Sequence, residues 1–161
     1  DALLALTAGL GADVPFCLLG GAARCRGVGE HVTPLPTAGG VHAVVVFDGL
    51  AADTGEMYRR LDAFIGARPA HDHDAAVRAV AAGDPRAIAA ALSNDFDALT
   101  SSPLAELLRT HGALGAMLTG SGSAAFGIFA DAAAAEACTA VLGGCVQFAR
   151  HVVLHSKESE T

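Results

Sequence analysis

The chain has 161 residues, with 10 Lys and Arg against 17 Asp and Glu, which gives a formal net charge of −7. Apolar residues make up 52% and charged residues 17%, a balance that excludes an intrinsically disordered chain. The acidic balance argues against nucleic acid as a partner, because it repels phosphate backbones and no run of Lys or Arg offsets it. The sequence contains no uninterrupted apolar stretch of about 18 residues, so no membrane span is predicted.

The next two predictions concern the state of the cysteines and the structure of residues 1–10. The cysteines lie in apolar segments without a C-x-x-C pair, which favours reduced structural thiols in a cytoplasmic protein over a zinc site; they are Cys17, Cys25, Cys138 and Cys145. Leucines at helical spacing predict an amphipathic helix over 1–10. This helix begins at Asp1 without a cap, so we expect the sequence to be part of a longer chain.

A β-hairpin and a linker follow. Residues 22–35 predict two strands joined by a turn at Gly27-Val28-Gly29, and prolines with a glycine pair predict a linker behind them. We therefore place a domain boundary at the linker, between residues 1–38 and residues 39–156, and we expect 157–161 to form a frayed tail.

The rest of the chain alternates strand and helix patterns. The predicted elements are a buried strand over 41–48, a helix from Thr54, two helices over 75–82 and 85–92, a helix opened by Ser102-Pro103, strands over 113–119 and 124–130, a helix over 131–142 and a strand over 146–154. Thr54 is expected to be the N-cap of its helix, whose core stripe is Met57, Tyr58, Leu61, Phe64 and Ile65. No strict βαβ repeat occurs, so we expect an α+β two-layer sandwich, with one sheet and helices on one face.

Asp13 lies in the segment Leu10-Gly11-Ala12-Asp13-Val14-Pro15-Phe16, between a glycine turn and a proline. The restricted backbone suits a side chain that must be aimed, and apolar neighbours would partly shield the carboxylate from water. Such a group could act as a general base toward a substrate hydroxyl, an effect of roughly 10²–10⁴-fold. The simpler alternative is that Asp13 caps a helix or closes an Asx turn.

Leu118-Thr119-Gly120-Ser121-Gly122-Ser123-Ala124 joins two of the predicted strands. Alternating glycines let successive N–H groups converge on an anion and the serine hydroxyls add donors, which favours a phosphate-side loop. The segment is not a Walker A loop, because no Gly-Lys-Ser/Thr follows, and not a dinucleotide fingerprint, because the third glycine is missing. An ordinary hairpin connection stays open as the alternative.

Two polar stretches are more ambiguous. His71-Asp72-His73-Asp74 has alternating side chains that could face a metal, but a polar loop with Asp74 as a helix cap explains it equally well, and no metal site is predicted. Asn94-Asp95-Phe96-Asp97 is either a plain turn or a segment that orders the substrate side.

Taken together, these segments resemble the GHMP kinase superfamily. The resemblance covers residues 3–154 and rests on the order and spacing of the Asp13 segment, Gly20-Gly21-Ala22, Gly27-Val28-Gly29-Glu30, Pro34-Leu35, Thr54 with Tyr58-Arg59-Arg60-Leu61-Asp62, Asn94-Asp95-Phe96, and Gly115 to Ser123 running into Phe126-Gly127. It implies a ferredoxin-like α+β C-terminal domain, preceded by the end of an N-terminal lobe that is similar to ribosomal protein S5.

The resemblance also implies an activity. The superfamily transfers the γ-phosphoryl group of ATP to a hydroxyl, with Mg²⁺ expected beside ATP, and Asp13 matches the catalytic aspartate that takes the hydroxyl proton. Gly120, Ser121, Gly122 and Ser123 match a loop that backs the phosphate loop and closes the site, and Thr54 falls at a position that contacts substrate. The motifs are most similar to the branch that phosphorylates the 2-hydroxyl of a cytidine diphosphate-linked polyol in non-mevalonate isoprenoid biosynthesis.

Part of the superfamily pattern is absent from this sequence. Members carry a lysine paired with the aspartate, aromatic residues that contact cytosine, and a P-x-x-x-G-L-G-x-x-S-S phosphate loop in an N-terminal half that the 161 residues do not include. We therefore expect the 161 residues alone not to turn over ATP. Two alternatives stay open: a kinase of the same superfamily that acts on homoserine, mevalonate or a sugar, and a non-catalytic binding or scaffold domain of the same fold.

Overall fold

The computed structural model describes residues 10–50, 52–67 and 70–154. Within them the strands are β1 (Ala22–Arg26), β2 (His31–Leu35), β3 (Val41–Phe47), β4 (Gly115–Leu118), β5 (Ala125–Phe129) and β6 (Phe148–Leu154). The helices are α1 (Val14–Leu19), α2 (Thr54–Ala63), α3 (His73–Ala82), α4 (Pro85–Ala91), α5 (Pro103–Thr110) and α6 (Ala132–Leu142), with a 3₁₀ helix at Asp95–Ala98. Residues 1–9 and 155–161, which hold most of the predicted first helix and all of the predicted tail, lie outside the described residues.

Strand β3 lies inside a four-stranded antiparallel sheet with the order β4-β5-β3-β6. Val44 is opposite Gly127 of β5 on one side and opposite His151 of β6 on the other. Because β3 is covered on both faces, its sequence is a nearly continuous apolar run and does not alternate. Strands β1 and β2 form a separate two-stranded sheet, as the hairpin pattern predicts.

The main core lies between one face of the four-stranded sheet and helices α5 and α6. Its fully buried side chains include Val44, Val46, Leu108, Phe129 and Leu142. Burying a side chain of this size contributes about 1.5–3 kcal/mol relative to leaving it in water. This cluster therefore fixes the sheet from which the β4–β5 connection projects.

The opposite face of the sheet is also covered. Val41, Ala43 and Ile128 form a second buried cluster, against which Ile88 of α4 packs. The α+β class is confirmed, but helices pack on both faces and not on one as expected. The reason is that the odd-numbered positions of β3 are as apolar as the even-numbered ones and need a cover of their own.

Two helices are capped by a residue that lies earlier in the chain than the predicted one. Asp53, and not Thr54, is the N-cap of α2, and its carboxylate accepts the N–H of Glu56 at 2.9 Å. Asp72, and not Asp74, is the N-cap of α3, and it accepts the N–H of Ala75 at 2.8 Å. Aspartate caps a helix somewhat better than threonine, and each earlier aspartate has the non-helical backbone that a cap requires.

The core stripe predicted for α2 is also too wide. Leu61 is buried, whereas Tyr58 and Ile65 are exposed and Phe64 already lies at the C-cap. Helix α2 ends at Ala63, so the last two apolar residues of the pattern lie beyond it.

The four cysteines are free thiols, but only Cys138 is buried, so the prediction of structural thiols is wrong for Cys17, Cys25 and Cys145. Burial raises the pKa of the Cys138 thiol. No helix in the described part of the chain has the length and apolar character of a membrane span.

Candidate functional site

The connection between β4 and β5, residues 119–124, is called the glycine-serine loop below. The N–H of Thr119 donates to the carbonyl of Ala124 at 2.9 Å, and the N–H of Gly122 donates to the carbonyl of Thr119 at 2.9 Å. Gly120 has φ of 52° and Gly122 has φ of 88°, in the left-handed region that glycine populates readily. The glycines are therefore required by the loop backbone, and the Gly122 N–H is used inside the turn.

Both serine hydroxyls of this loop contact the segment that follows β3. The Ser121 Oγ lies 3.0 Å from the Thr54 Oγ1 in the first turn of α2. The Ser123 hydroxyl donates to the carbonyl of Leu50. Because Asp53 supplies the helix cap, the Thr54 hydroxyl is available for this contact.

Asn94 holds the glycine-serine loop from the other direction. Its Nδ2 donates to the carbonyls of Leu118 at 3.1 Å and Gly120 at 2.8 Å. Its Oδ1 accepts the N–H of Phe96 at 3.0 Å and caps the 3₁₀ helix. With both ends of the amide engaged, the orientation of Asn94 is set by its partners. The sequence resemblance included Asn94, but no sequence signal assigned it to this loop.

A cavity of about 200 Å³ lies beside the glycine-serine loop. Ser121, Gly122 and Ser123 line it, together with Asp48 and with the Thr100-Ser101-Ser102 segment that precedes α5. Pockets for whole small molecules are typically about 300–1,000 Å³, so this space suits a small group and not an entire nucleotide. The sequence pattern predicts Ser102 only as a helix start, and the hydroxyl content of this segment is the signal that could have indicated its place in the cavity lining.

Asp13 lies in a different setting, immediately before α1. It is the N-cap residue of α1, but its side chain makes no capping hydrogen bond and is exposed. The expected shielding by apolar neighbours is therefore not present within the described residues, because Leu10 is also exposed and only Pro15 of this segment is buried. Asp13 is not among the residues that line the cavity beside the glycine-serine loop.

The turn of the β1–β2 hairpin supports the backbone next to Asp13. Gly29 has φ of 120°, and a Cβ atom at this position would lie 3.0 Å from the carbonyl oxygen of Ala12. Glu30 orders the same turn, since its Oε2 accepts the N–H of Val28 at 2.7 Å. Backbone hydrogen bonds to the carboxylate, the N–H of Glu30 itself first, hold its pKa below the usual value. The turn thus places the backbone, and not the side chain, of the Asp13 segment.

The polar stretch at residues 71–74 is used within the fold. His71 lies between Ser93 and Asp95, and Asp72 caps α3. Among the described residues, no group of three or more His, Cys, Asp or Glu side chains is arranged to hold a metal. Burial raises the pKa of Asp97 in the neighbouring 3₁₀ helix, and the positive charge of Arg109 opposes that increase.

The region that contains the glycine-serine loop matches a known protein family. The family model described as GHMP kinases C terminal matches residues 76–144, which include α4, α5, the glycine-serine loop and α6. Residues 76–144 of the chain therefore form a GHMP kinase C-terminal domain, as the resemblance of the motifs indicates.

Two curated proteins and one solved structure are similar to most of this chain. The chain is 41% identical over 152 residues to the 4-diphosphocytidyl-2-C-methyl-D-erythritol kinase of Gloeobacter violaceus, covering 88% of this chain and 50% of that protein. It is 38% identical over 136 residues to the kinase of the same name from Caldicellulosiruptor saccharolyticus, covering 80% of this chain and 46% of that protein. A crystal structure of 4-(cytidine 5'-diphospho)-2C-methyl-D-erythritol kinase matches with a TM-score of 0.78 at 33% identity, covering 96% of this chain and 57% of that one. The chain thus spans about half the length of the curated relatives it matches.

Proposed function

We propose that this chain is part of a kinase that transfers the γ-phosphoryl group of ATP to the 2-hydroxyl of 4-diphosphocytidyl-2-C-methyl-D-erythritol, in non-mevalonate isoprenoid biosynthesis. The observation that carries the proposal is the identity of 41% over 152 residues with a protein of that name. The proposal concerns the complete protein, in which residues 1–38 end an N-terminal lobe and residues 39–156 form the C-terminal domain. The 161 residues alone are proposed to be inactive, because the family's phosphate loop is not among them.

In this proposal Asp13 is the general base. Phosphoryl transfer through a loose transition state depends on positioning and charge neutralisation, and a carboxylate beside the acceptor hydroxyl orients it and accepts its proton late in the transfer. The exposed Asp13 side chain makes no capping bond that would compete with this role. Its aim then depends on substrate and on the part of the protein outside this chain.

The glycine-serine loop has a supporting role in the same proposal. Residues Gly120, Ser121, Gly122 and Ser123 back the phosphate loop of the complete enzyme and close the site. Their contacts with Thr54, Leu50 and Asn94 keep the loop in one conformation before ligands arrive. Thr54 is proposed to contact substrate from the first turn of α2.

ATP and Mg²⁺ are the proposed cofactors. The described residues hold no group of three or more His, Cys, Asp or Glu side chains arranged for a metal, so they do not form a protein cage for Mg²⁺. Magnesium commonly reaches kinase sites bound largely to phosphate oxygens and water. A cytoplasmic location is proposed from the free cysteines, because exposed thiols persist in reducing compartments.

The test is phosphorylation by the complete protein. ATP consumption and ³¹P NMR of the product are measured with 4-diphosphocytidyl-2-C-methyl-D-erythritol, homoserine, mevalonate and galactose as separate acceptors. We expect a phosphomonoester with the first acceptor and none with the other three. Turnover with homoserine, mevalonate or galactose instead would assign the protein to another branch of the superfamily. A folded complete protein that consumes no ATP with any acceptor would support the scaffold alternative.

A further inference from the structure

A histidine outside the glycine-serine loop is connected to it through Asn94. The Nδ1 of His71 lies 2.7 Å from the Ser93 Oγ, and the Nε2 of His71 lies 2.7 Å from the Asp95 Oδ1. These two partners are the residues on either side of Asn94, whose amide holds the carbonyls of Leu118 and Gly120. One imidazole ring therefore spans the short segment that presents Asn94 to the loop.

We propose that His71 is a positioning residue of this kinase, which fixes residues 93–95 so that Asn94 holds the glycine-serine loop in its closing conformation. The inference rests on the proposed function as far as turnover is concerned. Its structural part, the control of loop order by His71, concerns this chain whatever the substrate is.

The chemistry of the two contacts gives His71 a defined orientation. An ionised carboxylate accepts hydrogen bonds and does not donate them, so Nε2 carries the proton toward Asp95. In the neutral ring Nδ1 is then an acceptor, and it receives the hydroxyl proton of Ser93. The His71 side chain is 23% exposed and that of Asp95 is 39% exposed. Partial removal from water makes a hydrogen bond to a charged acceptor more effective than it is on an open surface.

The chain offers a matched control for this histidine. His73 stacks on His71 with ring centroids 5.8 Å apart, and it is exposed at the start of α3. The variant His73→Ala removes the stacking contact and leaves the hydrogen bonds of His71 with Ser93 and Asp95 in place. It therefore separates ring packing from the bridging function.

The first measurement is amide hydrogen exchange, by mass spectrometry, on the complete kinase. In His71→Ala we expect peptides covering residues 119–124 to exchange about tenfold faster, the size of effect that follows from losing one or two net hydrogen bonds. Peptides from α6 (Ala132–Leu142) should keep the wild-type rate. His71→Gln should largely restore loop protection, because its amide has one group that can donate to Asp95 and one that can accept from Ser93.

The second measurement is steady-state kinetics of the same variants with the acceptor that the wild type uses. His71→Ala is expected to lower kcat about tenfold while KM for the acceptor stays within a few-fold, since an unformed closing loop affects transfer more than binding. His73→Ala should match the wild type, and His71→Gln should recover most of kcat. If His71→Ala does not fold, Ser93→Ala at an exposed position removes one of the two contacts and should give the same loop-specific effect at smaller size.

The possible results distinguish a failure of this inference from a failure of the proposed function. Unchanged exchange at residues 119–124, or a uniform increase that includes α6, would overturn the inference, because it would show a general stability role or none. A loop-specific increase without any kinase activity in the wild type would leave the positioning role standing and refute the proposed function. A fall in kcat for His73→Ala equal to that for His71→Ala would also overturn it, since ring packing would then explain the effect.

Discussion

The glycine-serine loop and the Asp13 segment are both assigned to one reaction, yet they are supported in opposite ways. The loop is held from three other places in the chain, by the backbone carbonyl of Leu50 and by the side chains of Thr54 and Asn94. Asp13 has an ordered backbone but an exposed side chain without a capping bond. The chain thus preorganises the loop that is proposed to close the site, and leaves the proposed base to be aimed by what binds to it.

This difference has a physical explanation. A loop that must present a fixed shape loses less entropy on ligand binding if its hydrogen bonds are already made. A carboxylate that must accept a proton would be hindered by a permanent hydrogen bond, which stabilises its charged form. The comparison predicts that substitutions at Asp13 affect turnover, whereas substitutions around the loop affect both turnover and stability.

The largest expected effect belongs to Asp13→Asn in the complete kinase. We expect kcat to fall by roughly 10²–10⁴-fold, the usual contribution of a positioned base. KM should stay within a few-fold and the melting temperature should not fall, because the side chain makes no capping bond. Asp131→Asn is a matched control, since Asp131 caps α6 through the N–H of Ala134 and asparagine caps about as well. Near-normal kcat in Asp13→Asn would remove Asp13 from the base role.

Asn94→Asp tests the loop side of the comparison. The substitution keeps an oxygen for the Phe96 N–H but replaces the donor that faces the carbonyls of Leu118 and Gly120 with a charged acceptor. Leaving these groups without donors costs about 1–3 kcal/mol, so we expect kcat/KM to fall about 5- to 150-fold with a lower melting temperature. Wild-type values for both quantities would show that the loop does not depend on Asn94.

Gly122→Ala should have a smaller effect, mainly on stability. A side chain in the left-handed region costs roughly 1–2 kcal/mol, and a Cβ atom at Gly122 would also lie 3.3 Å from the Leu118 Cδ2. Gly144→Ala is the control, because a Cβ atom there meets nothing within 4 Å and its φ is not positive. Thermal unfolding should show a lower melting temperature for Gly122→Ala alone. Equal melting temperatures for the two variants would show that the backbone at Gly122 does not disfavour a side chain.

Local sequence signals were sufficient for most of the fold. The hairpin at Ala22–Arg26 and His31–Leu35, the buried strand Val41–Phe47, and the helix starts at Ser102 and Asp131 follow the predicted pattern closely. These features depend on turn residues, caps and apolar runs that act over a few residues. The six-residue α1 was missed because its apolar run is too short to establish a helical period.

The contacts of the candidate site were not predictable in the same way. Thr54 and Ser121 are 67 residues apart, and Asn94 and Gly120 are 26 apart. Whether such residues meet depends on the strand order of the sheet and on how α2 and the 3₁₀ helix pack beside it, and neither follows from local pattern. The glycines of the loop could be predicted from the sequence because backbone geometry alone selects them. The residues that contact the loop could not be predicted in this way.

The smallest predicted effect concerns the Thr54 and Ser121 hydroxyls, and a double-mutant cycle of Thr54→Val and Ser121→Ala resolves it. A direct hydrogen bond between them predicts a coupling energy of about 0.5–1.5 kcal/mol in unfolding free energy. If Thr54 also contacts the acceptor, Thr54→Val raises KM both in the wild-type background and in the Ser121→Ala background. Thr54→Ser keeps the hydroxyl and should change neither KM nor the free energy of unfolding. A coupling near zero would mean that the 3.0 Å approach does not hold the loop, and the contrast with Asp13 would then rest on Asn94 and on the contact of Ser123 with the Leu50 carbonyl.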